Sequence, residues 1–414
     1  MNILLIHLYS AQNLGDDAIM YETLRGLNEI YPDARVTLAA SDPDSWRKYR
    51  GVMTVGSLTT WVARLDEGRW RARVLAVPLY LFLLTLSVLL HRFFRLRLLF
   101  GSEEKRRLLL AYYTADLVLS CGGGNLYAHA PLSPFFLWSL LTLALALGLG
   151  KRVIMLPQSV GPIEGRFQRM AARLLFDRVA WMLLREQRSI DFVQRVMHLR
   201  RQPVLLPDLA FGPTPAVASP VDLAGSQDGP RIGVTVIDRA VQVRAFSGQE
   251  TYEAAVASAL IRLSRDRGAS LYLFSQCNGP NLAHDDRWAV RRLYHRLQEQ
   301  GVGAAVFDAF DSSLALKSAY ASMDCLLGSR MHSAILALSG AVPVVLIGYQ
   351  PKSFGVMESL GLEQYCCDIE TVTADRLYEM VCQALDNRAQ IAQFVAARYA
   401  ETQARLREWT RYLE

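Results

Sequence analysis

Short apolar runs alternate with segments of helical periodicity along most of this chain. Such runs predict strands at residues 3–7, 36–39, 117–120, 153–156, 182–184 and 204–206 in the first half, and at 232–236, 271–274, 304–307, 325–327 and 344–347 in the second. Strands that alternate with helices form parallel sheets wound in βαβ units. The pattern therefore predicts an α/β protein.

The segment 212–230 separates two such halves, because it is rich in Pro, Gly, Ser and Ala and is typical of a linker. We expect a Rossmann-like N-terminal domain over 1–211 and a second Rossmann-like domain over 231–385, facing each other across a cleft. A final helix over 386–414 is expected to pack back on the body. A chain of 414 residues fits two such domains.

An insert at about 69–107 breaks the alternation. Residues 74–90 carry no charge, and basic residues flank them: Arg69, Arg71 and Arg73 before, and His91, Arg92, Arg95, Arg97, Lys105, Arg106 and Arg107 after. A spanning helix needs about 20 apolar residues and asymmetric flanks. The pattern favours a helix lying on an anionic membrane surface. A buried helix and a true span are the alternatives, since 135–150 is equally apolar at a core position.

Composition narrows the class of protein. With 51% hydrophobic and 20% charged residues, the chain is not disordered. A net charge of +6 fits an anionic ligand or membrane surface, and is too small and scattered to predict a nucleic-acid partner. The six cysteines form no CxxC pair and are expected to be reduced, as in a cytosolic protein. Residues 1–10 predict a strand rather than a signal peptide, and a homo-oligomer is left open.

The loop after the first predicted strand contains NLGDDA, with Asn13, Asp16 and Asp17. Ligands of doubly wound sheets bind at the carboxyl ends of strands. We predict a helix that begins near Asp16 or Asp17. A carboxylate there would compete with a phosphate and is better suited to bind sugar hydroxyls or to act as a base. The alternative is that Asp16 only caps the helix.

Two further loops offer sugar-type hydrogen bonding. CGGGNLY places Gly123, Gly124 and Asn125 after the third predicted strand, and Gln158 and Ser159 follow the fourth. Consecutive glycines permit close backbone approach to a ligand, but they also occur in tight structural turns. We predict an acceptor-binding role for these five residues, and also for Asn13 and Asp17 of the NLGDDA loop.

The stretch GSRMHSAILALSGAVPVVLIGYQPKSFGV concentrates cations at the ends of two strands. Ser329 can cap the following helix, and Arg330 and His332 fall in its first turn, where the helix dipole favours an anion and lowers the basicity of an imidazole. The next strand ends near Tyr349 and Lys352. If the two strands are neighbours, these groups form an anion site. No metal-binding motif such as HExxH is present in the sequence.

The motifs NLGDDA, GGGNLY, QSVGPI, LREQRS, LPDLAF, GSRMHSAILALSGAVPVV and GYQPKSFGVMESLGL, in this order, resemble the polysaccharide pyruvyl transferase family, and within it the colanic-acid and amylovoran type. The resemblance implies a fold like that of the GT-B glycosyltransferases. It also implies phosphoenolpyruvate as the donor substrate without a cofactor and a bacterial surface or exopolysaccharide sugar as acceptor, of which a lipid-linked repeat unit is one form. The implied product is a pyruvate ketal.

Members of this family bind the donor through an Arg–x–His pair, which here is Arg330 and His332. A second family arginine follows the first strand of the second domain. In this chain Ile237 stands at that place, and Arg239 is the nearest arginine. This departure motivates one alternative, a catalytically inactive member that binds glycan. A nucleotide-sugar glycosyltransferase is the other alternative.

The resemblance and the residues together assign expected roles. His332 would protonate the methylene carbon of phosphoenolpyruvate, and Asp16 would orient or deprotonate the acceptor. Arg330, Arg239 and Lys352 would hold the donor anions, with Tyr349 and Ser329 beside them. The protein is expected in the cytoplasm, peripherally attached to the inner face of the cytoplasmic membrane, where a lipid-linked sugar would be within reach.

Overall fold

The computed structural model describes residues 1–63, 70–213, 229–242 and 246–414. They form two compact units. Unit 1 comprises Met1–Ala11, Thr23–Asp208 and Glu408–Glu414, and unit 2 comprises Gln12–Glu22 and Leu209–Arg407. Each unit is built around a parallel sheet.

The main sheet of unit 1 has seven strands among the described residues, in the order β3-β2-β1-β4-β6-β8-β9, and β5 pairs with β7 beside it. All neighbours in the main sheet are parallel. The strands are β1 (Asn2–Leu8), β2 (Arg35–Ala40), β3 (Met53–Gly56), β4 (Leu117–Ser120), β5 (Leu126–Ala128), β6 (Arg152–Gln158), β7 (Val160–Ile163), β8 (Trp181–Leu184) and β9 (Val204–Leu205).

Helices cover both faces of this sheet, which is why its central strands consist almost entirely of buried apolar residues. The helices up to this point in the chain are α1 (Leu14–Ile30), α2 (Leu58–Ala63), α3 (Trp70–Phe94), α4 (Glu103–Thr114), α5 (Pro134–Gly148), α6 (Arg166–Phe176) and α7 (Gln187–Asp191). Helix α1 begins in the segment assigned to unit 2 and ends in unit 1.

The sheet of unit 2 has six parallel strands among the described residues, in the order β12-β11-β10-β13-β14-β15. They are β10 (Arg231–Val234), β11 (Ser270–Phe274), β12 (Ala304–Phe307), β13 (Cys325–Gly328), β14 (Val344–Gly348) and β15 (Cys366–Asp368). The helices are α8 (Arg239–Gln242), α9 (Gln249–Arg267), α10 (Arg287–Glu299), α11 (Ser313–Ala321), α12 (Met331–Leu338), α13 (Pro351–Ser359), α14 (Ala374–Asp386) and α15 (Arg388–Leu406).

The predicted α/β class with two parallel sheets is confirmed, and each predicted strand overlaps an observed one. The prediction missed β3, β5, β7 and β15. Strands β3 and β15 lie at sheet edges, and all four have only three or four residues. Short strands that are hydrogen-bonded on one side need little apolar sequence, so the pattern does not reveal them.

The two units depart from the predicted domain bounds at both ends of the chain. Gln12–Glu22 groups with unit 2 because its backbone bonds there: Leu14 N–H donates to Gln276 O at 3.1 Å, and Asn278 N–H donates to Gln12 O at 3.0 Å. Glu408–Glu414 groups with unit 1, where the Trp409 ring lies against Gly26. Most of the predicted linker, 214–228, lies outside the described residues.

The predicted C-terminal helix over 386–414 is shorter in the structure. Helix α15 ends at Leu406 and a 3-10 turn, Arg407–Tyr412, follows. Within unit 2, α15 packs against α12 and α14, and Tyr399 OH donates to Gly212 O at 3.3 Å. The helix therefore packs back on unit 2 as expected.

Candidate active site

A buried ion pair lies at the carboxyl edge of the unit 2 sheet. Arg330, the N-cap residue of α12, donates through Nε to Asp286 Oδ2 at 3.2 Å and through Nη2 to Asp286 Oδ1. Arg330 is 9% exposed and Asp286 is 1% exposed. Cys277 N–H also donates to Asp286 at 3.0 Å, which fixes the carboxylate. A bidentate guanidinium held by a buried carboxylate has a defined orientation.

His332 lies in the first turn of α12 and is nearly buried. Its imidazole packs against the backbone of Gly15 in α1, since a Cβ atom built on Gly15 would lie 2.1 Å from Nδ1 of His332. No other residue type fits at position 15 without displacing the ring. This contact brings the first turn of α1, with Asp16, next to His332.

Three more cationic or aromatic groups belong to the same edge. The guanidinium carbon of Arg239 lies 5.0 Å from the centroid of the Tyr349 ring. Lys352 lies in the first turn of α13. The pKa of His284 is lowered to about 4 by burial and then by the charges of Arg330 and Lys352. Two cations therefore act on one place at this edge, which an anion site requires.

The side chains of Ile237 and of Ser329, which was predicted to bind the donor, both point into the fold. Ile237, which occupies the place of the family arginine, is fully buried, and its N–H donates to Tyr252 OH at 3.3 Å. The Ser329 hydroxyl is also buried and bonds Tyr252 OH at 2.6 Å. The prediction that Ser329 caps α12 is wrong: the N-cap is Arg330, and the hydroxyl of Ser333 bonds its carbonyl at 2.6 Å.

The helix predicted to begin near Asp16 begins at Leu14 instead. The side chain of Asn13 accepts from Gly15 N–H at 3.1 Å, so Asn13 rather than Asp16 supports this helix start. Asp17 is 1% exposed, and its carboxylate accepts from Ser313 N–H at 2.8 Å, which anchors the start of α11. Asp16 is half-buried and close enough to Cys277 to raise the pKa of that thiol, after the larger effect of burial.

The carboxyl edge of the unit 1 sheet has a different character. His7, at the end of β1 with φ 64°, bonds Ser120 Oγ through Nδ1 at 2.8 Å and Ser139 O through Nε2 at 2.9 Å. Gln158 Nε2 in turn donates to Ser120 Oγ at 3.1 Å. Burial lowers the pKa of His7 to about 4, so the imidazole is neutral at pH 7 and donates to the Ser139 carbonyl from Nε2.

The residues predicted to bind an acceptor in the two later loops lie on this edge too, whereas Asn13 and Asp17 belong to unit 2. Ser159 N–H donates to Gly123 O at 3.0 Å, and Ser159 Oγ accepts from Arg185 Nε at 2.8 Å. Arg185 also pairs with buried Asp208 at 2.6 Å, which makes it a structural arginine. Asn125 donates to His7 O. The half-buried Gly124 lies between Gly123, with φ 148°, and Asn125.

A pocket lies beside this edge, and six of its ten lining residues carry a hydroxyl group. Tyr9, Ser41 and Ser57 directly follow the carboxyl ends of β1, β2 and β3. The lining residues are His7, Leu8, Tyr9, Ser41, Ser57, Thr59, Asn125, Phe135, Ser139 and Thr142. The pocket has no charged lining residue, in contrast to the cationic edge of unit 2.

Sequence reasoning missed several residues of both edges. His284 was not singled out although it lies in the same loop as Asp286, and Tyr9, Ser41, Ser57 and Thr59 gave no motif. For Tyr9, Ser41 and Ser57 the available signal was their position directly after a strand. Among the residues that the structure describes, no group of three or more His, Cys, Asp or Glu side chains could hold a metal ion.

Comparison with known proteins gives two kinds of likeness. Residues 13–351 match the family described as Polysaccharide pyruvyl transferase. The chain is 30% identical over 257 residues to the amylovoran biosynthesis protein AmsJ of Erwinia amylovora, which covers 59% of this chain and 61% of that protein. The match thus spans about three fifths of the length of this curated relative.

Solved structures share the fold at low identity. The UDP-GlcNAc 2-epimerase from Neisseria meningitidis, bound to UDP-GlcNAc, has a TM-score of 0.56 at 9% identity and covers 99% of this chain and 98% of its own. The glycotransferase of kitacinnamycin has a TM-score of 0.53 at 12% identity, covering 98% and 95%. These likenesses show a GT-B-like fold and nothing about the reaction.

Proposed function

Because the chain belongs to the polysaccharide pyruvyl transferase family, we propose that it is an enzyme that transfers the pyruvyl group of phosphoenolpyruvate to a sugar of a bacterial exopolysaccharide or surface glycan. The product is a pyruvate ketal bridging two hydroxyls, and phosphate is released. The likeness to a protein of amylovoran biosynthesis supports an exopolysaccharide as the destination.

The observation that carries this proposal is the positive field at the unit 2 edge. Arg330 and Lys352 both lower the pKa of His284, so their charges reach the same place. Phosphoenolpyruvate carries a carboxylate and a phosphate and needs more than one cation. Asp286 occupies Nε and Nη2 of Arg330, and we propose that the remaining nitrogen, Nη1, binds the donor. Arg239 beside Tyr349 is the further cation proposed here.

The reaction needs an acid and a base. The contact between α1 and α12 supports His332 as the acid and Asp16 as the base. His332 gives a proton to the methylene carbon while the first sugar oxygen bonds to C2 of the donor and loses its proton. The second hydroxyl then gives its proton to the now neutral imidazole of His332 as its oxygen bonds to C2 and the C–O bond to phosphate breaks. Phosphate leaves with the electron pair and takes up the proton that the base removed in the first step. Asp16, next to the Gly15 backbone that holds His332, is the proposed base. No cofactor is needed in this sequence of steps.

For the sugar, we propose the hydroxyl-lined pocket of unit 1. Tyr9, Ser41, Thr59 and Asn125 line it with polar groups without charge, which suits a neutral glycan. The hydroxyls of Ser41 and Thr59 bond each other at 2.9 Å and Asn125 donates to His7 O, so a bound sugar would share or replace these bonds. The roles first expected for Gln158 and Ser159 become supporting ones, because both side chains bond other side chains of the fold.

Donor binding tests this proposal. Thermal unfolding of the full chain is measured with phosphoenolpyruvate, UDP-GlcNAc or GDP-mannose, for the wild type and for Arg330→Gln. We expect stabilisation by phosphoenolpyruvate alone, and at least tenfold weaker binding by the variant, since a charge-assisted hydrogen bond contributes about 1.5–3 kcal/mol. Stabilisation by a nucleotide sugar alone would favour a glycosyltransferase.

A second measurement addresses the product. Glycan from the source organism and from a deletion strain is compared by mass spectrometry, and the pyruvyl ketal is expected only in the former. Ketal retained in the deletion strain, with no donor binding in vitro, would instead fit an inactive glycan-binding protein.

A further inference from the structure

Helix α3 packs against unit 1 along one face. Leu84, Ser87 and His91 are 3%, 0% and 9% exposed and recur at the spacing of one helical stripe. At the start of the stripe, the Tyr80 ring lies 5.4 Å from the Trp61 ring, and at its end the His91 ring lies 5.0 Å from the Tyr113 ring. The described part of α3 therefore lies along unit 1 rather than projecting from it.

The opposite face of α3 is apolar and exposed. Leu79, Phe82, Leu89 and Phe93 are 53%, 63%, 46% and 72% exposed, and they lie about half a helical turn from the buried stripe. The face continues past the end of the helix into Leu96, which is 57% exposed. A run of large apolar side chains of this length is unusual on a free surface and indicates a partner.

Exposed cations follow the C-terminal end of this apolar face along the chain. Arg92, Arg95, Arg97 and Arg106 are all exposed. The pKa of Lys151 is lowered by burial and further by Arg97 and Arg95, so these charges share one region. Arg107 does not add to the cluster, because it pairs with Glu103 at 3.0 Å.

We propose that the exposed face of α3 docks unit 1 on the surface of an anionic lipid bilayer, with the helix in the plane of the headgroups. Apolar side chains would enter the boundary of the acyl chains, and the arginines would contact phosphate-bearing headgroups. This inference does not depend on the proposed function.

Two alternatives for the exposed face of α3, a membrane span and a second copy of this chain, fit less well. Among the described residues one segment, Ala76–Phe94, is long and apolar enough to cross a membrane, by length and composition only, and 17% of it is buried. A span would have to detach the stripe of Leu84, Ser87 and His91 from unit 1. A second copy of this chain would present the same cations, and like charges offer no complementarity.

Vesicle flotation of the full chain tests the proposal. The wild type is compared with the triple variant Phe82→Ser, Leu89→Ser, Phe93→Ser. The matched control is Phe167→Ser, Met170→Ser, Leu174→Ser on α6, whose side chains are 61%, 56% and 53% exposed at similar spacing. We expect the wild type and the control to float with phosphatidylglycerol-containing vesicles, and the α3 variant to bind at least tenfold more weakly.

Charge dependence gives the second arm. The double variant Arg95→Gln, Arg97→Gln should bind anionic vesicles about 30-fold more weakly, as about 1 kcal/mol for each arginine implies. Binding of the wild type should also weaken with pure phosphatidylcholine, and in about 1 M NaCl, where charges are screened beyond about 3 Å. This arm needs no change in the apolar face, so it holds even if the triple variant misfolds.

Three results would overturn the proposal: no flotation of the wild type, equal flotation of the wild type and the α3 variant, or an equal loss in the α6 control. The molar mass in solution is measured in parallel. A dimeric wild type that does not float and becomes monomeric in the α3 variant would assign this face to self-association.

Discussion

The carboxyl edges of the two sheets share an architecture but differ in charge. In unit 1 the edge side chains His7, Ser120 and Gln158 bond one another, and hydroxyls line the adjacent pocket. In unit 2 the edge gathers Arg330, Lys352 and Arg239 around a histidine of lowered pKa.

Both edges hold a histidine whose pKa is about 4, but the causes differ. For His7 the cause is burial, which a hydrogen bond to the Ser139 carbonyl partly opposes. For His284 burial is joined by two nearby cations. The comparison teaches that the same fold can supply a neutral site for a sugar and a cationic site for a donor, depending only on which side chains follow the strands.

The largest effect is expected from removing the acid at the cationic edge. His332→Gln should lower kcat about 10²- to 10⁴-fold, because general acid catalysis contributes that much, while the KM for phosphoenolpyruvate changes little. Steady-state phosphate release with glycan from the deletion strain measures both constants. His284→Gln is the control and should keep most of kcat. Wild-type turnover in His332→Gln would remove the histidine from the mechanism.

The next effect concerns stability at the neutral edge. The pKa of His7 is about 4 in the fold and 6.5 ordinarily, so the unfolded chain takes up the proton first as the pH falls. The lowered pKa of His7 therefore contributes about 3 kcal/mol to the free energy of unfolding. This contribution is complete above about pH 6.5 and is lost as the pH falls toward 4.

His7→Asn should remove this part of the acid sensitivity, because the asparagine side chain does not titrate. Asparagine is chosen because it also tolerates the positive φ of this position. Urea unfolding at pH 7 and pH 4.5 measures the difference. His198→Asn is the matched control, since His198 also has a positive φ, 53°, but is exposed. Equal acid sensitivity of the wild type and His7→Asn would contradict the assignment.

A smaller effect is expected from Gly15→Ala, because the added Cβ atom would lie 2.1 Å from Nδ1 of His332 and must displace the ring. A displacement of about 1 Å can cost up to 10²-fold in rate, so we expect kcat to fall about 10- to 100-fold with little loss of thermal stability. Gly303→Ala is the control, because a Cβ atom there meets nothing within 4 Å. Unchanged kcat in Gly15→Ala would mean that the position of this ring does not matter.

Much of the fold could be predicted from sequence, because each long strand is a continuous apolar run and each loop after it is polar. The short edge strands β3 and β15 could not, since little apolar sequence is needed there. The pairing of Arg330 with Asp286 joins residues 44 positions apart and follows only from the order of β11, β10 and β13 in the sheet.

The direction in which a side chain points could not be predicted from the sequence either. Ser329 and Asp17 occupy the places that sequence assigned to ligand contacts, but their polar atoms bond Tyr252 and the Ser313 backbone. Arg330 and His332 were identified because two cationic or basic groups at a helix start are rarely structural. Their partners Gly15 and Asp286 come from distant parts of the chain, and a single sequence gives no signal for such contacts.

The most direct test of the difference between the two edges is the pKa of each histidine with and without donor. Carbon-13-labelled imidazoles are titrated by NMR in the free protein and with saturating phosphoenolpyruvate, and His7→Asn and His284→Gln assign the signals. A bound anion beside Arg330 and Lys352 should raise the pKa of His284 by about 1 or more, while that of His7 stays near 4. An unchanged pKa of His284 in the saturated protein, or a rise at His7 instead, would contradict the assignment of the donor to unit 2.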